Sequence, residues 1–310
     1  MLLYADPFPA TVTMPPTRIK PDAARSKSDA VSRSNATRTG SPRVGSRLGK
    51  YRLERRIGSG GFANVYCATD TLLGIRAALK IPLANVLTQE LVAEFRREAR
   101  LTMRMEHPNI LPIRDASFIG DHFVIVSPLA DRTLNDRLKK RIGFEKTFDL
   151  LSQLIAAVSH AHQCGVIHCD IKPENVLLFD EDGGTRLRLG DFGIAKAAIK
   201  TISGSGTGTI GHMAPEQAMG KPSKRSDVFS IGLIAYRMLS GVWPEFPFDW
   251  PMDGCRTLRR KAHPELVSII QRCIEMKPKD RFRDAEKLDA AWQAVRLKAH
   301  RFVQRRRAVV

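Results

Sequence analysis

Between residues 51 and 128 the apolar positions come in short runs broken by turn residues, the texture of strands. Tyr51–Ile57 leads into a glycine cluster, and Ala63–Ala68 reads as a second strand. Leu73-Gly74 makes a turn, and Ile75–Ile81 is a third strand closed by Pro82, which cannot donate to a ladder. Leu91, Phe95, Leu101 and Met105 then fall at helical spacing with charges between them. That helix ends at His107-Pro108, because the residue before a proline disfavours the helical region. His122–Ser127 is another short apolar strand. After Pro128 the pattern is mostly helical, with predicted helices over 147–164, 226–240, 264–275 and 284–299. The chain is therefore expected to be α+β, a small β-rich part followed by a larger α-rich part, with the seam near 128–130. There is no internal repeat.

Residues 7–49 lack apolar periodicity and are rich in Pro, Ser, Thr, Arg and Ala. Such a segment buries too little surface to offset its ordering entropy. Residues 1–49 are accordingly expected to be a disordered basic arm, with folding from Lys50-Tyr51. The formal charge of +18 sits mostly at the ends. Residues 1–50 carry nine Lys/Arg against three Asp/Glu, and residues 291–310 carry six basic and no acidic residues. The stretch 296–310 is read as a basic tail. Flanking basic segments serve solubility, or loose attraction to acidic partners or anionic surfaces; a folded nucleic-acid site concentrates charge on one face with aromatics. The five cysteines form no CxxC pair, which suggests neither a disulfide framework nor a zinc site. No run approaches the length of a transmembrane segment, and Asp6 and Pro7 arrive too early for a signal peptide, so a cytoplasmic location is expected.

Candidate chemistry begins at Gly58-Ser59-Gly60-Gly61-Phe62-Ala63-Asn64-Val65, between two predicted strands. A phosphate chain lying on a backbone needs contact residues without side chains and inward N–H groups. A plain hairpin shows the same glycines; a dinucleotide site would have them open a helix instead. Lys80 ends the apolar strand Ala77-Ala78-Leu79-Lys80, within reach of phosphates under that loop. Glu98 lies on the face of the next helix that carries its apolar residues, where a carboxylate is costly unless paired, and Lys80 is the natural partner. The stretch His168-Cys169-Asp170-Ile171-Lys172-Pro173-Glu174-Asn175, with Asp191-Phe192-Gly193 following, carries the most information. Phosphoryl transfer needs a carboxylate near the attacking hydroxyl, cations along the charge path and hard oxygen ligands for Mg²⁺. Asp170, Lys172, and the pair Asn175 and Asp191 supply these in turn.

With these motifs in order, the chain resembles Hanks-type (eukaryotic-like) serine/threonine protein kinases over about residues 51–292, with a bacterial flavour in Met213-Ala214-Pro215-Glu216-Gln217. Asp227 matches the buried aspartate opening the family's large central helix, and Arg281 the late arginine that pairs with Glu216. The resemblance implies a bilobal fold: a small lobe at 50–127, a hinge at 128–130 and a mainly helical lobe at 131–295. It implies ATP and Mg²⁺, with protein substrates phosphorylated on serine or threonine. ATP would lie against Ile57, the loop Gly58–Val65, Ala78, the gatekeeper Ser127, hinge residues Pro128 and Ala130, and Leu177 beneath the adenine. Lys80 would contact the α- and β-phosphates, anchored by Glu98. Asp170 would be the catalytic acceptor, with Lys172 and Asn175 beside it, and Asn175 and Asp191 would hold the metal.

Three positions depart from the family pattern. Ala63 replaces the third loop glycine; Pro128 gives up a hinge N–H but keeps its carbonyl; and Cys169 stands where many members have an arginine that meets an activation-segment phosphate. Lys172 and Thr209 resemble the serine/threonine class. Thr201, Ser203, Ser205 and Thr207 form a hydroxyl-rich activation segment, a candidate for autophosphorylation. A kinase-shaped scaffold would have lost Lys80, Asp170, Asn175 or Asp191, and none is lost.

Overall fold

The structure is a computed structural model, described over residues 40–83, 88–192 and 213–308. Its β-rich part is a six-stranded antiparallel sheet in the order β1-β2-β3-β4-β6-β5. The strands are β1 (Arg47–Leu48), β2 (Tyr51–Ser59), β3 (Ala63–Asp70), β4 (Ile75–Pro82), β5 (Asp115–Ile119) and β6 (His122–Pro128). Alternation along β2 to β4 sends Leu53, Tyr66, Ala68, Ala77 and Leu79 into one apolar cluster. Helix α1 (Gln89–Arg104) starts where the Thr88 hydroxyl accepts from the Leu91 N–H at 3.2 Å. It buries Phe95 against Phe123 and Ile125, beside Ala63. The register Val65↔Lys80 and Ala78↔Ser127 ties the glycine turn, the lysine strand and the end of β6 together.

The α-rich part packs around α5 (Lys224–Ser240), in which every residue from Ser226 to Ser240 except Arg237 is buried. A capping box at Ser223 starts it and Gly241, at φ 89°, stops it in the left-handed conformation. Between the hinge and α5 come β7 (Arg132–Thr133), α2 (Leu134–Arg137), α3 (Phe144–Gln163), β8 (Val176–Glu181), β9 (Gly184–Leu189) and α4 (Pro215–Ala218). After it come α6 (Cys255–Lys261), α7 (Pro264–Cys273) and α8 (Ala285–Arg307). β7, β8 and β9 form a second, three-stranded sheet that carries residues toward the site. One large core joins α3, α5, α7 and α8. At Gly232 a Cβ would stand 2.6 Å from that of Cys273, so α5 and α7 approach through a position open only to glycine.

The strands and helices expected from the apolar pattern are present, with three differences. The ordered chain starts before Lys50: β1 pairs with β2, and the Tyr66 hydroxyl donates to the Pro42 carbonyl at 3.0 Å. Backbone bonds and turn glycines such as Gly45, at φ 85°, hold this piece, so no apolar rhythm announces it. The rest of the expected arm, residues 1–39, lies outside the described residues. β5, β7, β8, β9 and the short helices α2, α4 and α6 are additional: polar residues interrupt β5 and β9, while the apolar run Val176–Phe179 of β8 falls in the stretch expected to be mostly helical. The last helix runs to Arg307 through the stretch read as a tail: the buried stripe of Trp292, Val295 and Ala299 continues in Val303, which packs on the core. Among the described residues no helix is long and apolar enough to cross a membrane.

Candidate active site

The loop His168–Asn175 leads into β8, and Gly190–Phe192 leaves β9, so one hairpin brings both chemistry-bearing stretches together. The Gly190 N–H donates to the Asn175 carbonyl at 2.9 Å. His168 fixes the loop from inside: Nε2 donates to the Gly190 carbonyl at 2.9 Å, and Nδ1 accepts the Asp170 N–H at 3.2 Å. Both bonds suit a single neutral tautomer. Its ring packs 4.6 Å from that of the buried Phe192.

Cys169 and Asp191 sit at φ 65° and 62°, the left-handed region that non-glycine residues avoid. The surroundings over-determine the first. Asp227, at the start of α5, accepts the His168 and Cys169 N–H groups at 2.8 Å each, and His162 Nε2 lies 2.9 Å from it. The Gln217 side chain donates to the Cys169 carbonyl. Below, Arg281 and Glu216 bind at 2.8 and 3.1 Å, as their family positions implied. Nothing in the apolar pattern pointed to His162 or Gln217; a buried polar side chain is visible only once its partners are placed.

Two clusters result. In the first, Asn175 Nδ2 donates to the Asp170 carbonyl at 2.8 Å and to its carboxylate at 2.9 Å, and Lys172 Nζ lies 2.9 Å from the same carboxylate oxygen. Asp170 keeps 40% of its side chain exposed, so a hydroxyl can reach it. In the second, Lys80 Nζ joins Glu98 at 3.2 Å and Asp191 at 2.8 Å. Burial pushes Glu98 up to about 7, with Lys80 opposing, and its Oε2 lacks a hydrogen-bond partner. Burial alone would lower the Lys80 ammonium, but Asp191 and Glu98 outweigh it and hold the group above its ordinary value. Burial would likewise raise Asp191, yet Lys80 keeps its carboxyl below the usual range.

The residues expected at the nucleotide divide. Ala78 faces Ser127 across β4 and β6, Ala77 pairs with Pro128, and Leu177 stands on β8, all partly exposed except buried Ala77. Ile57 is 39% exposed at the end of β2. Asn64 does not join them: it is buried, accepts from Ser59 Oγ at 3.0 Å and donates to Ser41 Oγ at 3.3 Å. Strand alternation turns its side chain opposite to Val65. At Gly61 an added Cβ meets nothing, and at Gly60 only the Ala63 carbonyl oxygen at 3.7 Å. The protein itself therefore leaves free the room that a phosphate chain needs. Gly193 and the hydroxyls from Thr201 to Thr209 lie outside the described residues.

These residues also fit Mg²⁺. Asn175 spends its amide N–H groups on Asp170, leaving Oδ1 as an acceptor, and Asp191 offers a half-exposed carboxylate. Among the described residues no three His, Cys, Asp or Glu side chains converge. A bound ion would therefore share two protein oxygens with those of its nucleotide, the usual arrangement for this cation.

The order of these parts can now be set against known proteins. A family model of the protein kinase domain matches residues 51–293. The chain belongs to the Hanks-type protein kinase family. Its relatives include serine/threonine-protein kinase PknA of Mycobacterium tuberculosis, 34% identical over 83% of this chain and 64% of that protein. PrkC of Bacillus subtilis is 30% identical over 84% of this chain and 43% of its own length. The chain thus spans about two fifths to two thirds of these relatives. The solved PknI kinase domain of M. tuberculosis superposes with a TM-score of 0.63 at 23% identity, covering 82% of this chain and 99% of that one. A structure titled PpkA-294 apo form gives 0.69 at 22%, with the same two coverages. At that identity the structures attest the kinase fold.

Proposed function

We propose that this kinase domain transfers the γ-phosphoryl group of ATP, with Mg²⁺, to serine and threonine hydroxyls of proteins. The observation that carries the reading is the Asp170 carboxylate held by both Asn175 and Lys172. Asp170 orients the acceptor hydroxyl and takes its proton as the oxygen bonds to the γ-phosphorus; the bond to the β,γ-bridging oxygen breaks and ADP leaves. Lys172 offsets charge on the phosphoryl oxygens in flight. Lys80, positioned by Glu98 and paired with Asp191, binds the nucleotide phosphates. Mg²⁺, when held by Asp191 and Asn175, supplies charge neutralisation along the phosphates. Ala78, Leu177, Ile57 and Val65 offer the adenine apolar walls.

Phosphoamino-acid analysis tests the class. Generic protein acceptors incubated with γ-labelled ATP and Mg²⁺ should yield phosphoserine and phosphothreonine; label on tyrosine alone would overturn it. Autophosphorylation belongs to the same reading, on Thr201, Ser203, Ser205 or Thr207. The unaltered protein should then be heavier by whole phosphates than its Asp170→Asn variant, and equal masses would reject it. Cys169 adds a regulatory consequence. With a buried thiol in place of a guanidinium, no arginine beside Asp170 can read an activation-segment phosphate, so activity does not depend on that clamp.

A further inference from the structure

Away from the nucleotide cleft, a cavity of about 390 Å³ opens between the α2–α3 connection and the ends of α6 and α8. Arg141, Arg260, Lys261 and Arg306 line it, and among the described residues its lining includes no carboxylate. Four cations from three separate elements lining one cavity give it a positive potential that favours an anion. The nearest acid on α3, Glu145, is engaged by His300 Nδ1. Burial, then Arg141 and Arg260, holds the Lys261 ammonium below its ordinary value.

Part of this charge has a structural purpose. Cations in the last turn of α6 suit its carbonyl end, and Lys261 Nζ donates to the Leu239 carbonyl at 3.1 Å. Arg306 donates to the Arg260 carbonyl at 3.0 Å. Neither bond occupies the Arg141 or Arg260 guanidinium. The same cavity is lined by Gly143, the N-cap of the 20-residue α3, which has no side-chain cap. Its first N–H groups add partial positive charge beside the cations. Ile142 and Val303 supply apolar wall.

We propose that this cavity is a second site, separate from the nucleotide cleft, for an anion bearing phosphoryl groups. Guanidinium forks match phosphate oxygens two at a time, and three of the four cations are arginine. The phosphoryl group is either free or carried on a protein side chain, and two arms separate these sources. Pyrophosphate is titrated in one and a phosphothreonine peptide, beside its unphosphorylated form, in the other, with the nucleotide cleft filled by a non-hydrolysable ATP analogue. At least one phosphorylated probe should bind the unaltered protein, and at least tenfold more weakly the Arg141→Ala/Arg260→Ala double variant. Both replaced side chains are exposed and lie outside the catalytic clusters, so affinity for the ATP analogue and transfer to generic acceptors should not change. Binding of neither probe, equal binding to the double variant, or equal binding of the unphosphorylated peptide and its phosphorylated form with no pyrophosphate response would overturn the site. The measurement needs no catalysis, so it stands whether or not the proposed transfer is observed.

Discussion

Two sets of ion pairs in this domain are built from the same kinds of residue and differ in how completely they are closed. Arg281 is fully buried and spends all five N–H donors: two on Glu216, and one each on the carbonyls of Arg225, Glu275 and Met276. Ser226 donates to Glu216 as well, at 2.7 Å. Lys80 instead holds two carboxylates, of which Glu98 keeps one oxygen without a hydrogen-bond partner and Asp191 is nearly half exposed at a left-handed φ. A saturated set can only hold the fold. An unsaturated one keeps capacity for something else, which the proposed function assigns to phosphate and metal. The contrast separates scaffold from machinery by hydrogen-bond accounting rather than by residue type.

The contrast can be broken in order of expected effect. Lys80→Ala should slow phosphoryl transfer on the order of 10³-fold, about 4 kcal/mol in the barrier, with little loss of stability. Stability survives because Glu98, already raised, can take a proton once its partner is gone. Transfer rates beside urea melts check both halves. Arg281→Ala should do the reverse, costing about 3–5 kcal/mol in urea unfolding, because Glu216 and three carbonyls lose their partner. Arg281→Lys should recover only part of this, as an ammonium cannot span the fork. Gly232→Ala, which drives a methyl into Cys273 and Ile274 just before the carbonyls that receive Arg281, should cost about 1–3 kcal/mol.

The smallest effect is a slope with pH. Glu98 is raised from 4.5 to about 7, so across that interval the native state holds a proton that the unfolded state has released. This group's stabilising contribution is complete below 4.5 and is lost as pH rises through about 7. Asp191, lowered, acts only below that window, and Lys80, raised, only above it. Nucleotide-free protein should therefore lose stability from this cluster between pH 5 and 7.5. Glu98→Gln should flatten that part of the curve. An unchanged slope in the variant would show that Glu98 is ionised throughout.

The candidate site was legible because its residues sit in contiguous runs: His168 to Asn175, Asp191-Phe192, and the glycine turn before Val65. The lysine–glutamate pair was legible because a charge on an apolar helix face demands a partner. The direction of the Asn64 side chain was not legible, since a motif read as a string ignores that neighbouring strand residues face opposite ways. The start of the ordered chain escaped notice because Ser41, Pro42 and β1 are held through backbone and hydroxyl groups. α8 outran its expected end at 299 because Phe302 and Val303 stand among arginines and show no clear apolar rhythm, although Val303 packs on the core and Arg306 donates to the Arg260 carbonyl. His162 and Gln217, which hold the catalytic loop, have meaning only through Asp227 and Cys169, and tertiary contact alone supplies those.

The central claim is that the open charge set is catalytic. Its most direct test is Mg²⁺-dependent transfer of labelled γ-phosphate to basic and acidic acceptor proteins, measured beside ATP binding for the unaltered protein, Lys80→Ala and Asp170→Asn. The account predicts transfer by the unaltered protein, none detectable by either variant, and intact folding in all three. An unaltered protein that binds ATP and transfers nothing would contradict it and leave a kinase-shaped scaffold.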